Sequence, residues 1–105
     1  MSSQVEVITN FIGGEFVPAG SGMTLDCLEP ATGRTYATLP DSNAADVDAA
    51  VASARAACPG WSRCPAEVRS QFLLALAQEI EASAEALARA ESRDSGKGVR
   101  LARAV

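Results

Sequence analysis

The chain has 105 residues, of which 48% are hydrophobic, and this is enough for one small domain. Its net charge is −4 and no basic stripe runs along it, so neither a nucleic acid nor an anionic membrane is expected as a partner. No apolar run approaches the roughly 20 residues that span a bilayer, and the first residues lack the features of a signal peptide. The composition therefore predicts a cytoplasmic protein.

Side chains for common kinds of catalysis are scarce. The chain has no histidine, which removes Ser-His and Cys-His nucleophile pairs and the usual zinc sites. Cys27, Cys58 and Cys64 form an odd set without a Cys-x-x-Cys pair, which predicts reduced thiols. Cys64 lies between Arg63 and Pro65 and could be a reactive thiol. Without a base partner, the alternative is a small capping or packing residue.

Strand and turn signals occupy the first forty residues. Two short apolar runs, 11–12 and 15–17, flank Gly13-Gly14, a pair able to adopt the positive φ angles of a tight hairpin. A second strand pair is predicted at 24–28 and 34–39. Its connection, EPATG, has a proline early in the turn and Gly33 at its end.

The spacing becomes helical from Asn43, which is a suitable N-cap, with Asp46 in the first turn where a carboxylate favours the helix dipole. This first helix is predicted to stop before Pro59-Gly60. A second helix opens at Pro65 and carries an apolar stripe of Val68, Phe72, Leu76 and Ile80, broadened by Leu73 and Leu74. A third runs over 85–95 after Ser83 and ends at Gly96, and another begins near Val99.

The stretch 91–98 contains a Gly-Lys pair and reads ESRDSGKG. A phosphate-binding loop needs a glycine five residues before that pair and a Ser or Thr after it. Glu91 and Gly98 occupy those two positions. The stretch is therefore predicted to be a helix end.

Five segments in a fixed order carry a resemblance to a known family. They read NFIGGEFV, EPATGRTYATLP, AADVDAAVASARAACPGW, an Arg69-x-x-x-Leu73 helix, and ESRDSGKG. Together they resemble the N-terminal quarter of the aldehyde dehydrogenase superfamily, over Asn10 to about Val105. The wording AESRDSGKG followed by LAR is most similar to the branch that acts on muconate-type semialdehydes.

The resemblance implies a parent reaction, which is the oxidation of an aldehyde or semialdehyde to a carboxylic acid with NAD or NADP. In such enzymes a cysteine thiolate attacks the carbonyl, hydride passes to the nicotinamide, and a glutamate activates water. Those two residues and the nucleotide-binding strands belong to motifs far downstream in the family. The chain is accordingly expected to be an inactive N-terminal fragment that binds no cofactor alone, with the rest of such a chain, or a homo-oligomer in the parent, as its partner.

The resemblance also implies that the Asp-x-Gly-Lys stretch is a helix end close to the Pro-x-Thr-Gly turn, and that in some members a structural monovalent cation binds there. The matching positions are the carboxylate of Asp94 and the main-chain carbonyls of Cys27 and Leu28. The alternative is that Asp94 faces solvent near the end of its helix.

The predicted fold class is α+β, with two N-terminal β-hairpins followed by three to four α-helices, like the start of the aldehyde dehydrogenase fold and without a Rossmann-like sheet. Residues 1–105 are taken as one segment, with hairpins over 10–40 and helices over 43–105. A second hypothesis for function is a non-catalytic interaction module that docks on a full-length partner through the uncovered stripe of the second helix.

Overall fold

The computed structural model describes residues 4–104, which contain five strands and four helices. The strands are β1 (Glu6–Val7), β2 (Asn10–Ile12), β3 (Glu15–Val17), β4 (Thr24–Glu29) and β5 (Arg34–Pro40). The helices are α1 (Ala44–Arg63), α2 (Ala66–Ala82), α3 (Ala84–Ser95) and α4 (Val99–Arg103). The predicted α+β class, with strands before helices, is confirmed.

The described residues form two compact units. One contains 4–28 and 34–60, and the other contains 29–33 and 61–104. The first unit therefore holds the strands and most of α1. The second holds the turn between β4 and β5 together with α2, α3 and α4.

The β2–β3 hairpin has the geometry that its glycines allow. Gly13 and Gly14 have φ angles of 63° and 82°, so both occupy the left-handed region that a side chain makes costly. This matches the two-residue turn whose twist suits a hairpin. Phe11 and Phe16 lie opposite each other in the antiparallel register, with ring centroids 4.9 Å apart.

The second predicted strand pair is also confirmed. Strand β5 is the middle strand of a three-stranded sheet with the order β1-β5-β4. In the connecting turn, the N–H groups of Thr32 and Gly33 donate to the carbonyl of Glu29 at 3.2 and 2.8 Å. Gly33 has a φ of 71°, the left-handed conformation predicted for the end of the turn.

Strand β1 was not predicted from the sequence. It pairs in parallel with β5, with Glu6 opposite Ala37 and Val7 opposite Thr38. It has only two residues, too few to show the alternation that identifies a strand. Ala37, on the central strand, is completely buried.

Helix α1 is longer than predicted, because it continues through Pro59 and Gly60 to Arg63. The predicted stop assumed that the proline would disrupt the helix and that the glycine would end it by adopting a positive φ angle. Proline removes one helical hydrogen bond and crowds the carbonyl four residues earlier, but its fixed φ is close to the helical value. Gly60 does not adopt a positive φ angle. Neither residue therefore ends the helix.

The remaining helix boundaries agree with the sequence prediction to within one residue. Pro65 directly precedes the first residue of α2, and its carbonyl accepts from the N–H of Arg69 at 3.1 Å. Ser83 separates α2 from α3 but makes no side-chain cap. Gly96 ends α3 with a φ of 80°. No helix within residues 4–104 is long and apolar enough to cross a membrane.

Burial within the described residues is confined to small side chains. The buried apolar residues are Ala19, Ala37, Ala88 and Ala102, and no large side chain is fully buried. Helices α1 and α2 contain no buried residue at all. Because alanine has little apolar area to remove from water, this core contributes little hydrophobic stabilisation.

The start of α1 is held by reciprocal hydrogen bonds. The Asn43 side-chain oxygen accepts from the N–H of Asp46 at 3.1 Å, and the Asp46 carboxylate accepts from the N–H of Asn43 at 3.0 Å. The other Asp46 oxygen accepts from the N–H of Gly20 at 2.9 Å, which ties the loop before β4 to the helix. These bonds stabilise the charged form and lower the pKa of Asp46 from its ordinary value of 3.8.

Replacing Asp46 by Asn is expected to destabilise the chain at neutral pH, because the uncharged amide accepts weaker hydrogen bonds. The folded-state pKa of Asp46 is lowered, so its contribution is present above pH 3.8 and is lost as the pH falls through the folded-state value. Urea unfolding at pH 7 should therefore separate the two proteins, and the difference should disappear toward pH 2. The control is Asp48→Asn in the same helix. An Asp46→Asn deficit that persists unchanged at pH 2 would contradict the assignment.

Candidate functional site

The stretch 91–98 forms the C-terminal end of α3 and no phosphate-binding loop. The N–H of Gly96 donates to the carbonyl of Ser92 at 3.0 Å, and the Ser95 hydroxyl donates to the carbonyl of Glu91 at 2.7 Å. The Lys97 N–H then donates to the Ser95 hydroxyl at 3.2 Å. The bonds to Ser92 and Glu91 give hydrogen-bond partners to main-chain carbonyls near the end of the helix, where the last turn leaves carbonyls without helical partners.

The end of α3 lies against the turn that joins β4 and β5, within the second unit. A Cβ atom on Gly96 would come within 3.2 Å of the Cβ of Pro30. One turn earlier, Arg93 Nε lies 3.7 Å from a Glu29 carboxylate oxygen. The closeness of the Asp-x-Gly-Lys stretch to the Pro-x-Thr-Gly turn, which the family resemblance implies, is thereby confirmed. Gly96 is required there both for its positive φ angle and for the space it leaves.

The residues of the predicted cation site lie on different elements. Asp94 is near the end of α3 and is exposed, whereas Cys27, half-buried, and Leu28 belong to β4. Within residues 4–104, no group of three or more His, Cys, Asp or Glu side chains is placed to hold a metal. A cation at these positions would therefore depend on main-chain oxygens, which suit a hard alkali ion, and the site stays a prediction.

The three thiols lie on different parts of the chain, in β4, in α1 and directly after α1. Each is a free cysteine; Cys58 is exposed, while Cys27 and Cys64 are half-buried. The N–H of Cys64 donates to the carbonyl of Trp61 at 3.0 Å, which places this residue in the turn that closes α1. Since the chain has no histidine, the base that usually activates a thiol is missing.

A groove of about 570 Å³ runs beside α3 and α4. Ala88 and Ala102 lie at its base, where their small side chains let the two helices approach closely. At its rim, Glu85 accepts two hydrogen bonds from Arg103 at 2.6 and 2.8 Å, and Arg89 lies 3.0 Å away. The Arg103 hydrogen bonds lower the pKa of Glu85, so this carboxylate is charged and unsuited to act as a general acid.

Val68 of the predicted apolar stripe of α2 is half-buried, and the rest of the stripe is exposed, as the hypothesis of an interaction module expects. Phe72, Leu73 and Leu74 are 61 to 62% exposed, and Leu76 and Ile80 are 55% and 51% exposed. Phe72 contacts the ring of Trp61 edge-on, with centroids 5.8 Å apart. Five large apolar side chains on one helix form an exposed surface of the kind found at protein interfaces.

Replacing Gly96 by Ala is expected to destabilise the chain by about 1–2 kcal/mol, the cost of a left-handed residue with a side chain. Crowding against Pro30 adds to this cost. Gly98→Ala is the matched control, because Gly98 has a φ of −59° and a Cβ atom added there would meet nothing within 4 Å. Urea unfolding of both variants measures the difference. Equal stabilities for the two variants would contradict this account of Gly96.

The family model and the similar proteins all indicate the same family. Residues 16–104 match the model of the aldehyde dehydrogenase family. The chain is 48% identical over 97 residues to 2-aminomuconic semialdehyde dehydrogenase of Bos taurus, and the match covers 92% of this chain and 20% of the relative. It is 43% identical over 91 residues to acetaldehyde dehydrogenase of Pseudomonas aeruginosa, and the match covers 87% of this chain and 18% of the relative.

Solved structures give the same result for the fold. The crystal structure of an NAD-dependent aldehyde dehydrogenase from Sinorhizobium meliloti superposes with a TM-score of 0.90 and 35% identity, over 96% of this chain and 21% of the other. The chain thus spans about a fifth of the length of its relatives and corresponds to the N-terminal part of their fold. It belongs to the aldehyde dehydrogenase family.

Proposed function

We propose that this chain forms the opening part of an NAD(P)-dependent dehydrogenase that oxidises an aldehyde or semialdehyde to a carboxylic acid, and that it catalyses no reaction by itself. The observation that carries this proposal is the extent of the match: nearly all of this chain corresponds to only a fifth of each relative. The rest of the catalytic fold has no counterpart in these 105 residues.

The chemistry of the described residues supports inactivity. Hydride transfer to a nicotinamide from an aldehyde needs a nucleophile to form the species that donates hydride, and a base to complete hydrolysis. The thiols lie in β4, α1 and the turn after α1, and the chain contains no histidine to act as base. The carboxylate of Glu85, at the groove of the second unit, is committed to Arg103.

The relatives suggest the substrate class and the cofactor of the whole enzyme. The bovine relative is named for a semialdehyde and the Pseudomonas relative for acetaldehyde. A muconate-type semialdehyde is therefore proposed as the parent substrate, with NAD or NADP as oxidant. The proposed location is the cytoplasm, and the proposed partner is the rest of such a chain or, in the parent, a homo-oligomer. A monovalent cation held by Asp94 and the carbonyls of Cys27 and Leu28 belongs to the same proposal.

The purified chain is expected to produce no NADH or NADPH when it is mixed with NAD or NADP and a panel of aldehydes that includes acetaldehyde and a muconate-type semialdehyde. The bovine relative, assayed in parallel, serves as the positive control. Turnover that scales with chain concentration and disappears when all three cysteines are replaced by Ser would overturn the proposed inactivity. Turnover that survives those replacements would indicate a contaminating enzyme.

A second candidate function is a non-catalytic module that docks on a full-length member of the family. The exposed apolar surface of α2 favours it, because Phe72, Leu73, Leu74, Leu76 and Ile80 are each at least half exposed. Sedimentation velocity with a labelled chain and the intact bovine relative tests it. Co-sedimentation that Leu73→Gln/Leu76→Gln abolishes would support the module, whereas a chain that sediments as an unassociated monomer would contradict it.

A further inference from the structure

Helix α4 has few interactions of its own that could keep it helical. It has only five residues, and isolated helices shorter than about 12 residues are marginal in water. Its N-cap position is Gly98, which has no side chain to accept from the free N–H groups of the first turn. Ala102 is its one buried residue, and alanine removes little apolar area from water. The order of α4 must therefore come from contacts with another element.

That element is α3, and Glu85 makes the polar contact. Arg103 Nε donates to one Glu85 oxygen at 2.8 Å, and Arg103 Nη2 donates to the other at 2.6 Å. Two parallel bonds of this kind are the fork geometry of the strongest arginine–carboxylate pairs. The covalent link 96–98 holds the first residue of α4, and the Glu85–Arg103 pair holds its last residue. The helix is thus attached at both ends.

The same carboxylate contacts a second arginine. Arg89 Nε lies 3.0 Å from the Glu85 oxygen that also accepts from Arg103 Nη2. Arg89 is one turn further along α3, so this pair stays within a single helix. If α4 moves away, Arg89 still pairs with the Glu85 charge, which lowers the cost of opening. Glu85 is therefore shared between a contact that holds α4 and one that does not.

The groove of about 570 Å³ depends on the position of α4. Ala102 and Arg103 form part of its lining, and Ala88 lies at its base. Moving α4 away would remove that part of the lining and expose Ala88. The side chains of Glu85 and Arg103 are 53% and 50% exposed, so dissolved ions reach the pair and screen it. The apolar contact between Ala88 and Ala102 carries no charge to screen.

We propose that α4 is a strap, hinged at residues 96–98 and latched onto α3 by the Glu85–Arg103 pair, which a rise in ionic strength releases to open the groove. Gly96 and Gly98 give the hinge its conformational freedom, because glycine occupies more of φ/ψ space than any other residue. This inference goes beyond the proposed function and does not depend on it, since it concerns only contacts between α3 and α4.

The test measures the helix content of α4 in the full chain by NMR, from the Cα chemical shifts of residues 99–103. Glu85→Gln and Arg103→Gln each remove one charge of the latch and keep a polar side chain. At low salt, each is expected to lower the ratio of ordered to released α4 by about 2- to 5-fold, the range for ion pairs at exposed sites. The double variant should lose no more than either single one. Unchanged shifts of residues 10–17 confirm that each variant is folded.

The matched control is Arg89→Gln, which removes the other arginine from the same carboxylate. It should leave α4 as ordered as before, or more ordered, because Glu85 is then left to Arg103 alone. A loss of α4 order equal to that of Arg103→Gln would overturn the latch. Unchanged α4 shifts in Glu85→Gln would also overturn it, since the contact between Ala88 and Ala102 would then be sufficient.

A salt titration tests the release. Raising NaCl from about 0.01 M to about 1 M shortens the screening length from about 30 Å to about 3 Å. The unaltered chain should lose α4 helix content toward the level of Glu85→Gln, whereas Glu85→Gln itself should change little. An α4 that stays equally helical over this range, or that already has coil shifts at low salt, would overturn the proposed strap.

Discussion

The extent of hydrophobic burial is the constraint on which this structure depends. Within the described residues, alanine is the only apolar residue type that is buried. Ala37 lies on the central strand of the three-stranded sheet, and Ala88 and Ala102 lie where α3 meets α4. Alanine at these positions lets backbones approach closely but removes little apolar area from water. Glycine turns and helix caps set the path of the chain, while most of the large apolar side chains in the described residues remain exposed.

The α2 helix shows the size of this deficit. Full burial of a Leu, Ile or Phe side chain contributes roughly 1.5–3 kcal/mol, so five such residues left a little more than half exposed forgo on the order of 4–9 kcal/mol. That is comparable with the entire net stability of a typical domain. A polypeptide that covered this one helix would therefore change the stability of the chain more than any contact within it. The family membership and the fivefold difference in length point to the same source of cover.

Polar interactions between the described residues hold the ends of helices and the turns. Asp46 fixes the start of α1 and reaches Gly20, Gly96 ends α3 against Pro30, and Glu85 holds Arg103 across α3 and α4. Each carboxylate in this set is stabilised in its charged form or engaged by a backbone N–H. Acid–base catalysis needs groups whose pKa values are driven apart in a cleft. The contacts of Asp46 and Glu85 instead lower the pKa values of both carboxylates.

The sequence by itself determined the elements whose causes are local. Gly13 and Gly14 fix the hairpin because positive φ angles are a property of those residues, and Asn43 and Gly96 cap helices for equally local reasons. The nearness of Gly96 to Pro30 followed from the family resemblance, since residues so far apart in the sequence carry no local signal of it. Tertiary structure alone decided the parallel pairing of β1 with β5 and the shielding of the Arg69 Nε. These depend on what lies beside a residue in space, which neither periodicity nor propensity records.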